Sequence, residues 1–322
     1  MVDRLTRAFG RCGLSGRTAE VMDALYGAVE AGGTKFVCMV GTGPEDMREQ
    51  TRFPTSSPEA TLLETVSFFR AAESRLGRLA AIGIGSFGPV DVRADSPTFG
   101  FITSTPKAGW ANVDIAGALR TALGVRIGFD TDVNAAALAE WRWGAAQGLD
   151  TFLYLTIGTG IGGGGLVNGR LMHGLVHPEM GHVRIPHDLE GDPFAGTCPF
   201  HGDCLEGLAS GPAMAARWLQ PAEQLPPGHP GWTLEARYLA LALVNFICTV
   251  SPERIVMGGG VMSNRQLFPA IRQRVIELLN HYVRAPQVLH RIDEFIVAPW
   301  LGAHAGVLGA LALAQRADRA HQ

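Results

Sequence analysis

Two short apolar runs flank a Gly-Gly-Thr turn in YGAVEAGGTKFVCMVG, residues 26–41. Apolar runs of that length around a glycine turn predict a hairpin. The spacing then changes: Leu62, Leu63, Val66 and Phe69 recur at helical intervals and predict a helix over 59–76. Residues 79–85 are a buried-strand pattern ending in the turn-rich SFGPVD, and 125–129 predict another strand. The Ala-rich DTDVNAAALAEWRWGAA opens a helix directly after it, with Asp130 or Thr131 as cap.

The plan then repeats. Residues 152–157 predict a strand, GTGIGGGG a glycine turn, and 165–167 a further strand. The interval of about 126 residues is too long for a solenoid and fits two similar halves. Residues 182–204 read as a long irregular loop. Helices follow over 205–219 and 233–250, then a strand over 254–257 ending in GGGV, a helix over 263–283, a strand over 294–298 and an Ala/Leu-rich helix over 303–316. The pattern is α/β with mixed sheets.

Composition narrows the function classes. With 322 residues, 47% hydrophobic and 18% charged, the chain can fill two domains or one large one. A net charge of −3 with no Lys/Arg block gives no electrostatic footprint for nucleic acid or a membrane surface. No apolar run reaches 18 residues, so no spanning helix is expected. The polar N-terminus lacks a secretory h-region and reads as an extension before the first strand. Five cysteines, with Cys12, Cys38 and Cys248 scattered, fit free thiols in a reducing, cytoplasmic setting; Cys38 and Cys248 are expected to be buried.

Three glycine turns each follow an apolar strand: AGGTK (31–35), GTGIGGGG (158–165) and GGGV (258–261). Such turns let backbone N–H groups approach phosphate closely. Singly, each is as well explained as a plain turn. GTGIGG contains G-x-G-x-x-G, but the following GLVNG reads as strand and turn rather than helix, so a dinucleotide fold fails in context. No G-x-x-x-x-G-K-[ST] occurs. Together the three turns favour a cleft that grips a nucleotide polyphosphate.

Asp132, after a strand and at a helix start, is either an N-terminal cap or a general base toward a hydroxyl. Glu179 and Glu206 flank the His/Cys-rich loop; with His182 they could bond a polyol, or be solvated loop acids. The loop GHVRIPHDLEGDPFAGTCPFHGDC ends in C-x2-H-x2-C. His182, Cys198, His201 and Cys204 make one four-ligand zinc set, with His187 as an alternative fourth member. A full set leaves no open position for catalysis, so a metal here would be structural. A DNA-reading finger lacks both its basic residues and its ββα spacing.

EAGGTK, SFGPVD, TSTPKAGW, DTDVNAAALAE, LTIGTGIGGG, HPEMGH, CPFHGDCLEGLASGP and VMGGGV occur in the order seen in the ROK family of sugar kinases, which this chain resembles from residue 24 to about 315. FPTSSPE, TSTPKAGW, DTDVNAAALAE and CPFHGDCLEG are most similar to its bacterial fructokinase branch. The resemblance implies two actin-like ATPase (ribonuclease H-like) α/β domains around a central cleft, with a zinc-stapled loop. It implies an N-terminal extension over 1–23, a first domain over 24–135 rejoined by helix 303–318, and a second domain over 136–302. It also implies MgATP, a hexose acceptor with fructose favoured, a structural zinc and a homodimer.

By the same resemblance Asp132 matches the catalytic base. Gly32, Gly33, Thr34 and Lys35 match the first phosphate loop; Thr156, Gly158, Thr159 and Gly160 match the second. Gly258, Gly259 and Gly260 match the adenosine-side turn. Gly88, Glu179, His182 and Glu206 match sugar contacts. The chain departs from the broad family at Glu30, where an Asp is common, and at Thr131 and Lys107, where Asn residues contact glucose-type substrates. Losing those amides at the substrate site suits fructose; mannose, glucose and N-acetylhexosamine are the alternatives. Repressors of the family carry an N-terminal helix-turn-helix, a pattern that the 23 residues before the first strand lack.

Overall fold

A computed structural model describes residues 24–320; the extension read over 1–23, with Cys12, lies outside the described residues. The predicted hairpin is β1 (Tyr26–Ala31) and β2 (Lys35–Gly43), paired antiparallel. β3 (Asp46–Pro54) extends it as DMREQTRFP, a mostly polar strand suited to the edge of the sheet. It carries no apolar run by which the sequence would mark it as a strand. After α1 (Pro58–Leu76), β4 (Ala81–Ser86) runs parallel to β1. A two-residue ribbon, β5 (Phe101–Ile102) with β6 (Val113–Asp114), leads to α2 (Ile115–Leu123). β7 (Arg126–Thr131) pairs parallel with β4, and α3 (Asp132–Trp143) follows. The sheet order is β3-β2-β1-β4-β7.

The second half repeats the layout. β8 (Phe152–Ile157), β9 (Ile161–Val167) and β10 (Arg170–Leu171) are antiparallel neighbours. α4 (Leu205–Ala209), α5 (Gly211–Trp218) and α6 (Pro230–Val250) precede β11 (Arg254–Gly258). α7 (Leu267–Leu279), α8 (Pro286–His290), α9 (Ile292–Phe295), β12 (Ile296–Val297) and α10 (Ala305–Arg319) complete the chain. The order β10-β9-β8-β11-β12 is the same three-antiparallel, two-parallel plan.

Several boundaries moved for physical reasons. Of the glycine run expected to be a turn over 158–165, residues 158–160 make the turn and the rest already belongs to strand β9. A Cβ at Gly163 would lie 2.6 Å from Met180 Sδ, and one at Gly164 would lie 2.3 Å from Asn134 Oδ1, so these glycines let β9 press against the 180–182 turn and α3. The helix expected over 205–219 breaks at Ser210, whose hydroxyl caps α5 through the Ala213 amide. The helix expected over 263–283 is shorter, and the strand over 294–298 contracts to two residues behind α9. Cys38 is buried as expected, but Cys248 is exposed on the outer face of α6. α6 is long and apolar enough to cross a membrane by length and composition, at mean hydropathy 1.4, yet it supplies Ala236, Leu239, Leu243 and Ile247 to the second-half core.

α3 runs between the sheets with 133–140 buried throughout. α10 returns to the first sheet. A Cβ at Gly83 of β4 would fall 1.8 Å from the Ala310 carbonyl, so the helix lies directly on the strand. Glu140 of α3, fully buried, accepts from the amides of Ala145 (2.6 Å), Trp300 (3.2 Å) and Leu301 (2.9 Å). It therefore ties together both segments that pass from one sheet to the other.

Candidate active site

The strand-to-helix junction at β7–α3 presents two aspartates in different settings. Asp130 is buried and fully engaged. Its Oδ1 accepts from the Thr131 amide (2.8 Å) and Asn134 Nδ2 (2.9 Å), and Oδ2 lies 2.8 Å from His173 Nε2. That pairing pushes the His173 pKa up. Thr131 caps α3: its hydroxyl accepts from the Asn134 amide at 3.1 Å. Asp132, the first helical residue, accepts from the Val133 amide at 2.8 Å. Its carboxyl keeps a partial opening to solvent but is otherwise enclosed. Burial, then the charges of Glu30 and Glu179, push its pKa up to about 7. Burial also pushes Glu30 upward, against the pull of Lys35, Arg52 and His304.

The first glycine turn closes with the Gly32 amide bonded to the Lys35 carbonyl (3.0 Å). Thr55 fastens it: its hydroxyl donates to Gly32 O (2.7 Å) and its amide to Thr34 O (3.0 Å). Gly33, at the tip, has nothing within 4 Å of where a Cβ would sit, and Thr34 and Lys35 are exposed. In the second turn the Gly158 amide donates to Gly160 O (2.8 Å), and the Gly211 amide at the head of α5 donates to Gly158 O (2.8 Å). Thr159 is exposed and Thr156 half-buried. The third turn packs on the same place: a Cβ at Gly259 would collide with Ile157 O at 2.3 Å. Gly258 and Gly260 therefore sit beside the second turn.

Glu206, in the first turn of α4, bridges two of these parts. Its Oε2 accepts from the Ile161 amide (2.8 Å) beside the second glycine turn, and its Oε1 lies 4.0 Å from His182 Nε2. The other ring nitrogen, His182 Nδ1, lies 3.7 Å from Cys198 Sγ and 3.6 Å from Cys204 Sγ. His201 Nδ1 is 3.5 Å from Cys198 Sγ, and all four ligand atoms lie within 4.8 Å of one another. Sulfur and nitrogen bonds of about 2.3 and 2.0–2.1 Å around a tetrahedral ion set an N···S edge of about 3.5 Å, so the cluster fits a structural metal. His187 turns away: Nδ1 lies 3.2 Å from Asp203 Oδ2 and Nε2 3.0 Å from Asp192 O. Lys107 lies in the 103–112 loop, with its amide bonded to Thr105 Oγ1 (3.3 Å). Glu179 is exposed beside His177, and Gly88 abuts the His177 ring.

Three supports escaped the sequence. The Asp130–Asn134–His173 set locks the head of α3; Asn134 Oδ1 also accepts from the Gly165 amide on β9 (3.1 Å). Within the 182–204 loop, Asp192 Oδ2 accepts from the Tyr238 hydroxyl (2.5 Å) and pairs with Arg217 (3.2 Å), whose guanidinium lies over the Phe194 ring. Glu235, fully enclosed near Arg217, is pushed well above the usual carboxylate range by burial. His177 is the third. Only its place in HPEMGH, two positions before Glu179, could have drawn notice to it.

The twin mixed sheets of one plan, each with a glycine turn in its first hairpin, are the layout of the actin-like ATPase fold. Residues 26–317 match the ROK family, and the chain belongs to it. It is 43% identical to a fructokinase of Zymomonas mobilis, over 91% of this chain and 97% of that one. Among solved structures, a ROK hexokinase from Thermus thermophilus is 29% identical with a TM-score of 0.73, covering 92% of this chain and 99% of that one. A ROK glucokinase from Streptomyces griseus, in complex with glucose and AMPPNP, is 25% identical with a TM-score of 0.68 over 91% of this chain and 100% of that one.

Proposed function

We propose that this chain is an ATP-dependent fructokinase, and that Asp132 is its general base. The observation that carries the assignment is the state of Asp132: an enclosed carboxyl with a pKa near 7 at the head of α3, while its neighbour Asp130 is fully bonded. A base tuned near neutral pH suits proton abstraction from an alcohol. The sugar's primary hydroxyl loses its proton to Asp132 as its oxygen bonds the γ-phosphorus. The bond from that phosphorus to the β,γ-bridging oxygen breaks, and ADP leaves with the electron pair. The rest is positioning and charge neutralisation. Gly32–Lys35 and Gly158–Gly160 hold the phosphates, Gly258–Gly260 the adenosine side, and Gly88, Glu179, His182 and Glu206 the sugar; Thr131 and Lys107 lie at its edge. Glu30 would hold Mg²⁺ through water, and the ion supplies charge neutralisation when bound.

The metal cluster would hold zinc and fix the His182 ring, with Nδ1 on the metal and Nε2 toward Glu206 and the sugar. Two domains, 24–135 with α10 and 136–302, would close on the sugar about the segments tied by Glu140, excluding water. Fructose is supported by the relatives that bear that activity in their names, and by Thr131 and Lys107 in place of amides. The test is coupled ADP release with MgATP across a hexose panel. The expected outcome is the highest kcat/KM for fructose; absence of fructose-dependent ADP release rejects the assignment.

A further inference from the structure

We infer that His177 is a positioning residue for the sugar, a latch that holds the main chain after β4 against the segment bearing Glu179. This rests on the sugar site proposed above. The His177 ring is buried, with 5% of its side chain exposed. Its Nε2 accepts from the Val90 amide at 3.0 Å, across 87 residues of sequence. A nitrogen that accepts from an amide carries no proton, so the ring proton sits on Nδ1. That atom lies 3.3 Å from Pro178 O and 3.6 Å from Glu179 Oε1. One tautomer therefore satisfies both sides.

Apart from His173, whose Nε2 lies 2.8 Å from Asp130 Oδ2 on β7, the two segments are anchored to different sheets. On the first side, the Phe87 amide donates to Ala31 O (2.8 Å), and Pro89 O accepts from both the amide (2.7 Å) and hydroxyl (3.0 Å) of Thr103. On the second, the Met172 amide donates to Gly165 O (3.0 Å), and Gly181 lies against the Ile161 carbonyl of β9. The Val90–His177 bond joins them where Gly88 and Glu179 face the sugar. Gly88 meets the imidazole directly: a Cβ there would be 3.4 Å from both Cε1 and Nε2. The residues before the latch do not hold the segment by burial, since Leu175 is 88% and Val176 58% exposed. Within residues 174–179, His177 is the one buried side chain.

The test uses the full chain with His177→Ala, His177→Gln and Glu179→Gln. Glutamine can place an acceptor where Nε2 lies. His177→Ala is expected to raise the sugar KM about tenfold, with kcat and the ATP KM within about twofold, and His177→Gln to restore most of the sugar KM. Amide exchange of the peptide covering 88–92 is expected to be slow in the unaltered protein and to speed up in His177→Ala while other peptides stay protected. A normal sugar KM in His177→Ala, with Glu179→Gln raising it, overturns the latch and leaves the sugar site standing. A normal sugar KM in both removes the site and the latch together. Should His177→Ala not fold, rapid exchange at 88–92 in the unaltered protein, or a folded His177→Gln with a kcat loss and unchanged sugar KM, overturns it.

Discussion

Asp132 and Glu206 each stand in the first turn of a helix, one from each half of the molecule. Glu206 is held: one oxygen accepts the Ile161 amide and the other faces His182. Asp132 accepts only from its neighbour Val133 among the described hydrogen bonds, and faces the like charges of Glu30 and Glu179. Favourable contacts hold the carboxylate of the second half in place, whereas the environment of the first makes ionisation costly. A carboxylate that organises a site is best satisfied; one that must accept a proton is best left wanting one.

The largest effect that would test this contrast comes from Asp132→Asn. It is expected to lower kcat by roughly 10² or more with sugar binding retained. It should also raise the melting temperature at pH 8. An acid whose pKa rises on folding lets the folded state bind more protons, so stability declines as pH climbs from the unfolded value toward about 7 and stays depressed above it. The amide removes that loss. A melting temperature lowered by the substitution would show that Asp132 is a stabilising cap, contrary to the comparison.

Removing the metal should move the other side in the opposite direction. A chelator, or Cys204→Ser, is expected to lower the melting temperature and raise the sugar KM about tenfold, because His182 loses its fixed orientation. Elemental analysis should find one zinc per chain; none would remove the metal from the account. Glu206→Ala is expected to raise the ATP KM severalfold as well as the sugar KM, since the same carboxylate holds the Ile161 amide beside the second phosphate turn. An unchanged ATP KM would confine Glu206 to the sugar side.

The smallest effect is a shift in pH profile. The acid limb of kcat/KM should fall near pH 7, where Asp132 becomes protonated, and Glu179→Gln should move it lower by under a unit, since one raising charge is gone. An unmoved limb would assign it to another group.

The three glycine turns, a cap at Asp130 or Thr131 and the spacing of Cys198, His201 and Cys204 were legible because each is a local rule. So was the repeat, since the β1–β2 and β8–β9 hairpins carry the same strand, turn and strand signals. β3 and the extent of β9 were not. The first is polar because it lies at an edge, and the second is glycine-rich because two neighbours press on it; neither shows a strand's usual apolar alternation.

The order of turns, caps and ligand spacing along the chain was thus determined by sequence, since each depends on residues within a few positions of one another. Which aspartate of DTD is fully bonded and which faces like charges was decided by tertiary structure, because the neighbours come from His173 on one side and Glu30 and Glu179 on the other. The same holds for His177 and Val90. Hydrogen bonds and charges act over a few ångströms of space, and only the folded chain brings those groups within that range.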